Sequence, residues 1–178
     1  ALHADHRRQR QMCIRDRHMA ATIRGCEERD VKQVVALLEK QRHQYERFQP
    51  SLWRKAGDSH EACEQAVREM LGLREAFVLV YDSMGAVEGA IFGGIMTAPP
   101  IYRPPGPAML VDEFVVADEA KWRVVGADLV NELANQAKGR GCAHMIVLCV
   151  HLDRAKRDFL QACGFATSTE MLVADLTT

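Results

Sequence analysis

Apolar residues fall at helical spacing soon after Asp30. Val31, Val34, Val35 and Leu38 occupy i, i+3, i+4 and i+7 and so share one face of a helix. Asp30 with Gln33 three residues on has the form of a capping box, and the charged run after Glu39 carries that helix outward toward Pro50. A short alternation over residues 21–24 precedes it as a strand, and a second helix is predicted over Ser59–Leu71, past the loop around Trp53 and Gly57. Phe77–Tyr81 and Val87–Met96 read as strands joined across Asp82-Ser83-Met84-Gly85, a hairpin signal. Five prolines between Pro99 and Pro107 then force a loop, since neither a helix nor a sheet interior tolerates them.

Beyond that loop Met109–Val116 reads as a strand. Val124–Lys138 reads as a helix, with Val130, Leu133, Ala134 and Ala137 on one face and Gly139 and Gly141 at its end. Met145–Val150 is an unbroken apolar run, the mark of a strand covered on both faces. Asp153–Ala162 is predicted as a last helix and Thr167–Asp175 as a last strand. Strand, helix and strand in that order imply a parallel pair with a right-handed crossover. The whole is an α/β chain, β-α-α-β-β-β-α-β-α-β, with one mixed sheet, helices on its faces, and no internal repeat.

Composition narrows this reading. With 178 residues, 48% apolar and 26% charged, the chain has the make-up of one globular domain. No stretch approaches the roughly 18 to 20 apolar residues of a membrane helix, so a cytoplasmic protein with no membrane partner is expected. Six scattered cysteines without a Cys-x-x-Cys pair suggest reduced thiols and no metal site. Residues 1–20 carry a net +3 and the remainder −4, which disfavours nucleic acid as a partner and suits a neutral or cationic substrate. Residues 1–18 lack apolar periodicity and read as a vector-derived or disordered tail, leaving 19–178 as the domain, with Met19 as its first residue.

The segment from Val111 to Leu133 carries the chemistry. A strand, a short loop and a helix start occur there in succession, and helix-start N–H groups without internal partners face the positive end of the dipole, a place for a phosphate. Phe114-Val115-Val116, the loop Lys121-Trp122-Arg123-Val124-Val125-Gly126 and the closing Gly164-Phe165 together resemble the Gcn5-related N-acetyltransferase (GNAT) family over residues 20–175. The loop stands where that family has Arg/Gln-x-x-Gly-x-Gly/Ala, with Lys121 for the first residue and Val124 for the first glycine.

The resemblance implies a mostly antiparallel sheet with a splayed central parallel pair and acetyl-CoA as cosubstrate, with no metal. It implies backbone pairing of the pantetheine with Phe114, Val115 and Val116, phosphate contacts from Lys121 to Ala127, and the Val116 N–H as oxyanion donor to a tetrahedral intermediate. Val111-Asp112-Glu113 is similar to the strand of diamine acetyltransferases, where acidic residues address a cationic acceptor, so Asp112 and Glu113 are the candidate bases. Strand alternation puts Glu113 with Val111 and Val115, and Asp112 with Leu110, Phe114 and Val116. Glu113 is preferred for its reach.

The family's proton-donating tyrosine position is Leu160, with Cys163 and Tyr102 as weak substitutes and His151 as a relay to watch. His43, Tyr45, Phe48 and Trp53 lie where the acceptor pocket is expected, and Tyr102 and Arg103 are placed to close over it. The expected reaction is acetyl transfer to the primary amine of a small molecule or peptide. The alternative is a catalytically weakened acyl-CoA-binding domain acting as a sensor or structural subunit. A homodimer is compatible with the resemblance.

Overall fold

The computed structural model describes residues 21–176, so the tail assigned to residues 1–18 lies outside the described residues. Five strands stand in sheet order β1 (Ala21–Gly25), β2 (Ala76–Ser83), β3 (Ala86–Met96), β4 (Ala108–Val116) and β5 (His144–Val147). All neighbours are antiparallel except β4 and β5, which run parallel from Ala108↔His144 to Val111↔Val147. Helices α1 (Val31–Phe48) and α2 (Ser59–Gly72) cover one face, and α3 (Ala127–Gly139) and α4 (Arg154–Ala162) cover the other. Val31, Val34, Val35 and Leu38 are buried against Val78, Val80 and Val115, as their periodicity predicts. The second layer centres on Phe114, Trp122, Leu129, Leu133 and Phe159.

The β2–β3 hairpin turns at Met84 and Gly85, both with positive φ (54° and 89°), the signature of a type I′ turn. Asp82 Oδ1 closes it by accepting from the Gly85 N–H at 2.6 Å.

Four sequence expectations need correction. Asp30 precedes α1 but makes no capping contact to it. Its carboxylate accepts from Glu27 N–H and from Arg24, and Gln33 instead clamps the hairpin by donating to Gly85 O and accepting from Val87 N–H. α3 begins at Ala127 rather than Val124, because Glu119–Lys121 and Trp122–Gly126 wind as a 3-10 turn and a π turn before it. No strand forms at 167–175, where the consecutive apolar residues Met171, Leu172 and Val173 lie exposed. β5 is therefore an edge that stops at Val147 instead of Val150, and its residues are half-buried or exposed rather than covered on both faces.

Candidate active site

A bulge in β4 decides which way the two candidate bases point. Phe92 pairs with Glu113 and Gly93 with Val111, so Asp112 is an extra residue without a partner. A bulge adds one position to the strand and shifts the inside/outside alternation beyond it. Val111 and Phe114 consequently lie in the same apolar layer, under α3 and α4, while Val115 lies in the layer under α1 and α2. The expected sharing of a face by Glu113 and Val111 is thus wrong, and so is that of Asp112 with Phe114. Asp112 is exposed and its Oδ1 accepts from Glu113 N–H. Glu113 turns toward α1, where Arg42 Nη2 binds its Oε1 at 2.7 Å, while Arg42 Nη1 meets Cys63 Sγ at 2.6 Å.

Past Val111 the two parallel strands separate. The last rung is Leu148 N–H to Val111 O, after which the chain leaves β4 and turns into α4. The free side of β4 is partly capped from α1, since Gln41, itself buried, donates from Nε2 to Phe114 O at 3.0 Å. Ala117 N–H bonds back to Glu88 O on β3, so by alternation the N–H of Val116 is turned toward the gap. A cleft of about 50 Å³ lies between Leu37, Lys40 and Gln41 on α1 and Val115, Val116 and Ala117 at the strand end.

Six side chains from four elements meet at the mouth of the gap. Tyr45 donates to Asp153 Oδ2 at 3.3 Å, tying α1 to the residue that caps α4, and Asp153 Oδ1 accepts from Lys156 N–H. Burial, reinforced by Asp153, Cys149 and Glu113, holds the Tyr45 hydroxyl far above its ordinary range, so it is a neutral donor. Burial likewise pushes the Cys149 thiol up to about 11, keeping it protonated at neutral pH. The Lys156 ammonium lies 5.7 Å from the Phe114 ring centroid. Burial pulls it below the usual lysine range against Cys149, Asp153 and Glu113, which favour its charge. Tyr45 also carries the expected aromatic cluster, with Phe48 at 6.2 Å and Trp53 at 6.4 Å between ring centroids.

The expected phosphate loop is less open than its sequence suggests. Lys121 is paired with Glu88 at 2.7 Å, and Asp118 already accepts the Ala120 N–H. Trp122 and Val125 are buried, and Trp122 stacks on Phe159 at 5.2 Å and meets Phe114 edge-on at 4.9 Å. A Cβ on Gly126 would come within 2.7 Å of the Trp122 ring, so close packing by itself requires glycine there. Arg123 and Val124 are exposed, Ala127 is half-buried, and among the described residues Arg123 makes no ion pair. Tyr102 and Arg103 are exposed in the proline loop, and Cys163 is exposed at the end of α4. The His151 ring is engaged by Arg157 Nη1 at 2.8 Å.

With five strands in this order, one parallel pair and a splay beyond it, the architecture can be compared with known ones. Residues 35–165 match the family model described as "Acetyltransferase (GNAT) family". The chain belongs to the GNAT acetyltransferase family. No curated protein sequence matches it. Among solved structures, a Bacillus halodurans protein superposes with a TM-score of 0.78 at 11% identity, covering 87% of this chain and 99% of that one. A ribosomal-protein-alanine N-acetyltransferase from Brucella melitensis gives 0.64 at 18% identity, over 88% and 99%. An aminoglycoside 6'-N-acetyltransferase from Acinetobacter haemolyticus gives 0.67 at 14% identity, over 88% and 99%. At these identities the likeness is one of fold.

Among the residues now assembled at the GNAT splay, Gln41, Arg42, Cys149, Asp153 and Lys156 were not singled out by sequence. Lys156 left a readable signal. It stands at i beside Phe159 and Leu160 at i+3 and i+4, on the buried stripe of α4, where a lysine is out of place.

Proposed function

We propose that the protein moves an acetyl group from acetyl-CoA to a primary amine of a small molecule or peptide. The observation that carries this reading is the open edge of β4, whose outward groups at Phe114 and Val116 border a gap flanked by Glu113, Tyr45 and Lys156. An extended chain bearing amides fits such an edge as another strand would, and the Gln41 amide already bonded to Phe114 O is a protein group standing in that role. When bound, acetyl-CoA supplies an activated acyl thioester.

The residues divide the remaining work. Phe114 and Val116 hold the pantetheine arm through their outward backbone groups, while those of Val115 between them face β3, and the Val116 N–H is aimed to receive charge on the carbonyl oxygen. Arg123 and the loop backbone between Trp122 and Ala127 are assigned to the phosphates, since the N–H groups of Lys121, Trp122 and Ala127 already bond Asp118 O, Glu119 O and Trp122 O and the Lys40 ammonium bonds Ala117 O; Trp122 and Val125 serve from the core side. An alkyl ammonium has a pKa of about 10, so the acceptor must lose a proton before attack. Glu113, oriented by Arg42, is positioned to take it directly or through water. Tyr45 and Trp53 form the wall for a cationic acceptor, and Tyr102 is placed to close over it from the proline loop.

A second reading, a weakened acyl-CoA-binding domain, draws support from the pairing of Lys121 with Glu88 and from Leu160. Release of free thiol from acetyl-CoA across a panel of amines separates the two. Turnover is expected with at least one primary amine, and binding of CoA without thiol release from any amine would leave the sensor reading standing. CoA at about 100-fold its dissociation constant should stabilise the fold by about 2.7 kcal/mol, and Arg123→Glu should reduce that gain.

A further inference from the structure

Lys156 is 1% exposed, yet its ammonium has no hydrogen-bond acceptor and no ion pair among the described residues. An ammonium carries three donors and is costly to remove from water unless they are satisfied. The helix offers a cheaper alternative, since Phe159 and Leu160 fill the same stripe with apolar side chains. The charge is instead held over the face of Phe114 and opposite two carboxylates that favour it, Glu113 on β4 and Asp153 at the start of α4, with the neutral Cys149 thiol after β5 beside them. Tyr45 on α1 approaches through Asp153, and Arg42 through Glu113. All of these elements converge on the gap between β4 and β5, so the ammonium is held beside the open strand edge with its own donors unspent.

We propose that Lys156 is the proton donor to the departing sulfur in acetyl transfer. This inference rests on the acyl-CoA reading above. As the amine nitrogen forms its bond to the acetyl carbon, the carbon–sulfur bond breaks and its electron pair stays on sulfur. Lys156 Nζ gives one proton to that sulfur, leaving a thiol and a neutral lysine. The acceptor attacks as a neutral amine, its ammonium proton having already passed through Glu113 to solvent; after attack the nitrogen releases a second proton to Glu113, which hands it to solvent, while solvent returns one proton to the lysine at the mouth, so protons and electrons balance. Other side chains in reach are poor donors. Leu160 is apolar and buried, and Cys149 is a thiol no more acidic than the group it would protonate. Tyr45 already spends its proton on Asp153.

The test uses reduced CoA bound to the full chain, with the ultraviolet absorbance of its thiolate followed against pH and corrected with the desulfo-CoA complex. In the wild-type complex the CoA thiol should be about tenfold more acidic than an ordinary thiol of pKa about 8.5. In Lys156→Met it should return to that ordinary value, and turnover should fall by roughly 10²-fold. Lys156→Arg keeps the charge but cannot release a proton, so it should retain the acidic thiol while turnover stays low. Identical thiol titrations in wild type and Lys156→Met, or unchanged turnover in Lys156→Met, would overturn the proposal while leaving acetyl transfer intact. Failure of the wild type to bind CoA would bring down the acyl-CoA reading itself and this one with it.

Discussion

Arg24 and Lys156 are both largely withdrawn from water, and they are treated in opposite ways. Arg24, on β1, is gripped by Asp30 through both terminal nitrogens at 2.5 and 2.9 Å and by Asp82 through Nε and Nη2 at 3.0 and 2.7 Å. Asp30 also accepts a backbone N–H from Glu27, so nearly every donor and acceptor in the cluster is spent. Lys156 is more deeply buried and has none of this. A saturated cluster fixes structure, here the joining of β1, the turn into α1 and the hairpin. A buried charge with donors left over is poised for something else to bind. Hydrogen-bond saturation, rather than burial, separates the structural cation from the one assigned to chemistry.

The comparison breaks most easily at Asp30. With a side chain only 3% exposed, its loss strands Arg24 and frees the Glu27 N–H. Asp30→Ala should cost about 3 kcal/mol or more, read as a fall in the urea midpoint without a change of slope. A cost near zero would mean that the cluster merely decorates the β1 end.

The same cluster predicts an acid limb. Arg24 holds the Asp30 and Asp82 carboxyls below the usual carboxylate range. A carboxyl depressed in the folded state adds stability that is fully present above its unfolded pKa of about 3.9 and is lost as pH falls through the lower, folded value. Unfolding followed from pH 6 downward should therefore steepen below about pH 4 in the wild type. The steepening should be shallower in Asp30→Asn, and equal limbs would show that other carboxyls carry the acid response.

Lys156 should answer in the opposite sense. Replacing a buried charge that lacks partners by a side chain of similar length removes a desolvation cost, so Lys156→Met should melt no lower than the wild type and gain about 1 to 2 kcal/mol. Its folded pKa is depressed below about 10.5, so between the two values the unfolded chain binds the proton and the folded one does not. Wild-type stability then rises with pH in that window, and the advantage of Lys156→Met should shrink toward pH 10. A variant that melts well below the wild type at every pH would make Lys156 a structural residue like Arg24.

How much of this contrast the sequence exposes depends on the kind of information each feature needs. Periodicity located α1 and the apolar stripe of α3, because burial on one face is a property of spacing alone. Asp30 marks a helix start in the sequence, yet its partner Arg24 lies on β1 and Arg24's other partner, Asp82, lies on β2 52 positions beyond Asp30, so the sequence shows only a local cap. The bulge at Asp112 depends on register against β3 and leaves no mark in β4 itself, which reversed the face assigned to Val111 relative to Glu113. The loop Lys121–Gly126 announced a glycine, but Trp122 and Phe159 supply a packing reason for it that spacing could not reveal. The strand expected at 167–175 had suitable residues, yet the segment pairs with none of the five strands and leaves the β5 edge open. Lys156 was visible as a misfit on the α4 stripe, but what it faces depends on where β4 and β5 part.

The smallest expected effect supplies the control for the whole comparison. Arg68 on α2 binds Glu28 at 2.7 Å and Glu64 at 2.6 Å, distances that match the contacts of Arg24 with Asp30 and Asp82. The difference is water, since the Arg68 side chain is 46% exposed and that of Glu28 68%. Water competes for every donor in that trio, screens the charges and leaves the freed carboxylates solvated when one partner is removed. Arg68→Ala should therefore leave the melting temperature almost unchanged at moderate salt, while Asp30→Ala lowers it by many degrees and Lys156→Met does not lower it. If Arg68→Ala destabilised as much as Asp30→Ala, contact distance and not exclusion of water would set the worth of these pairs. A buried, unsaturated Lys156 would then be unexceptional.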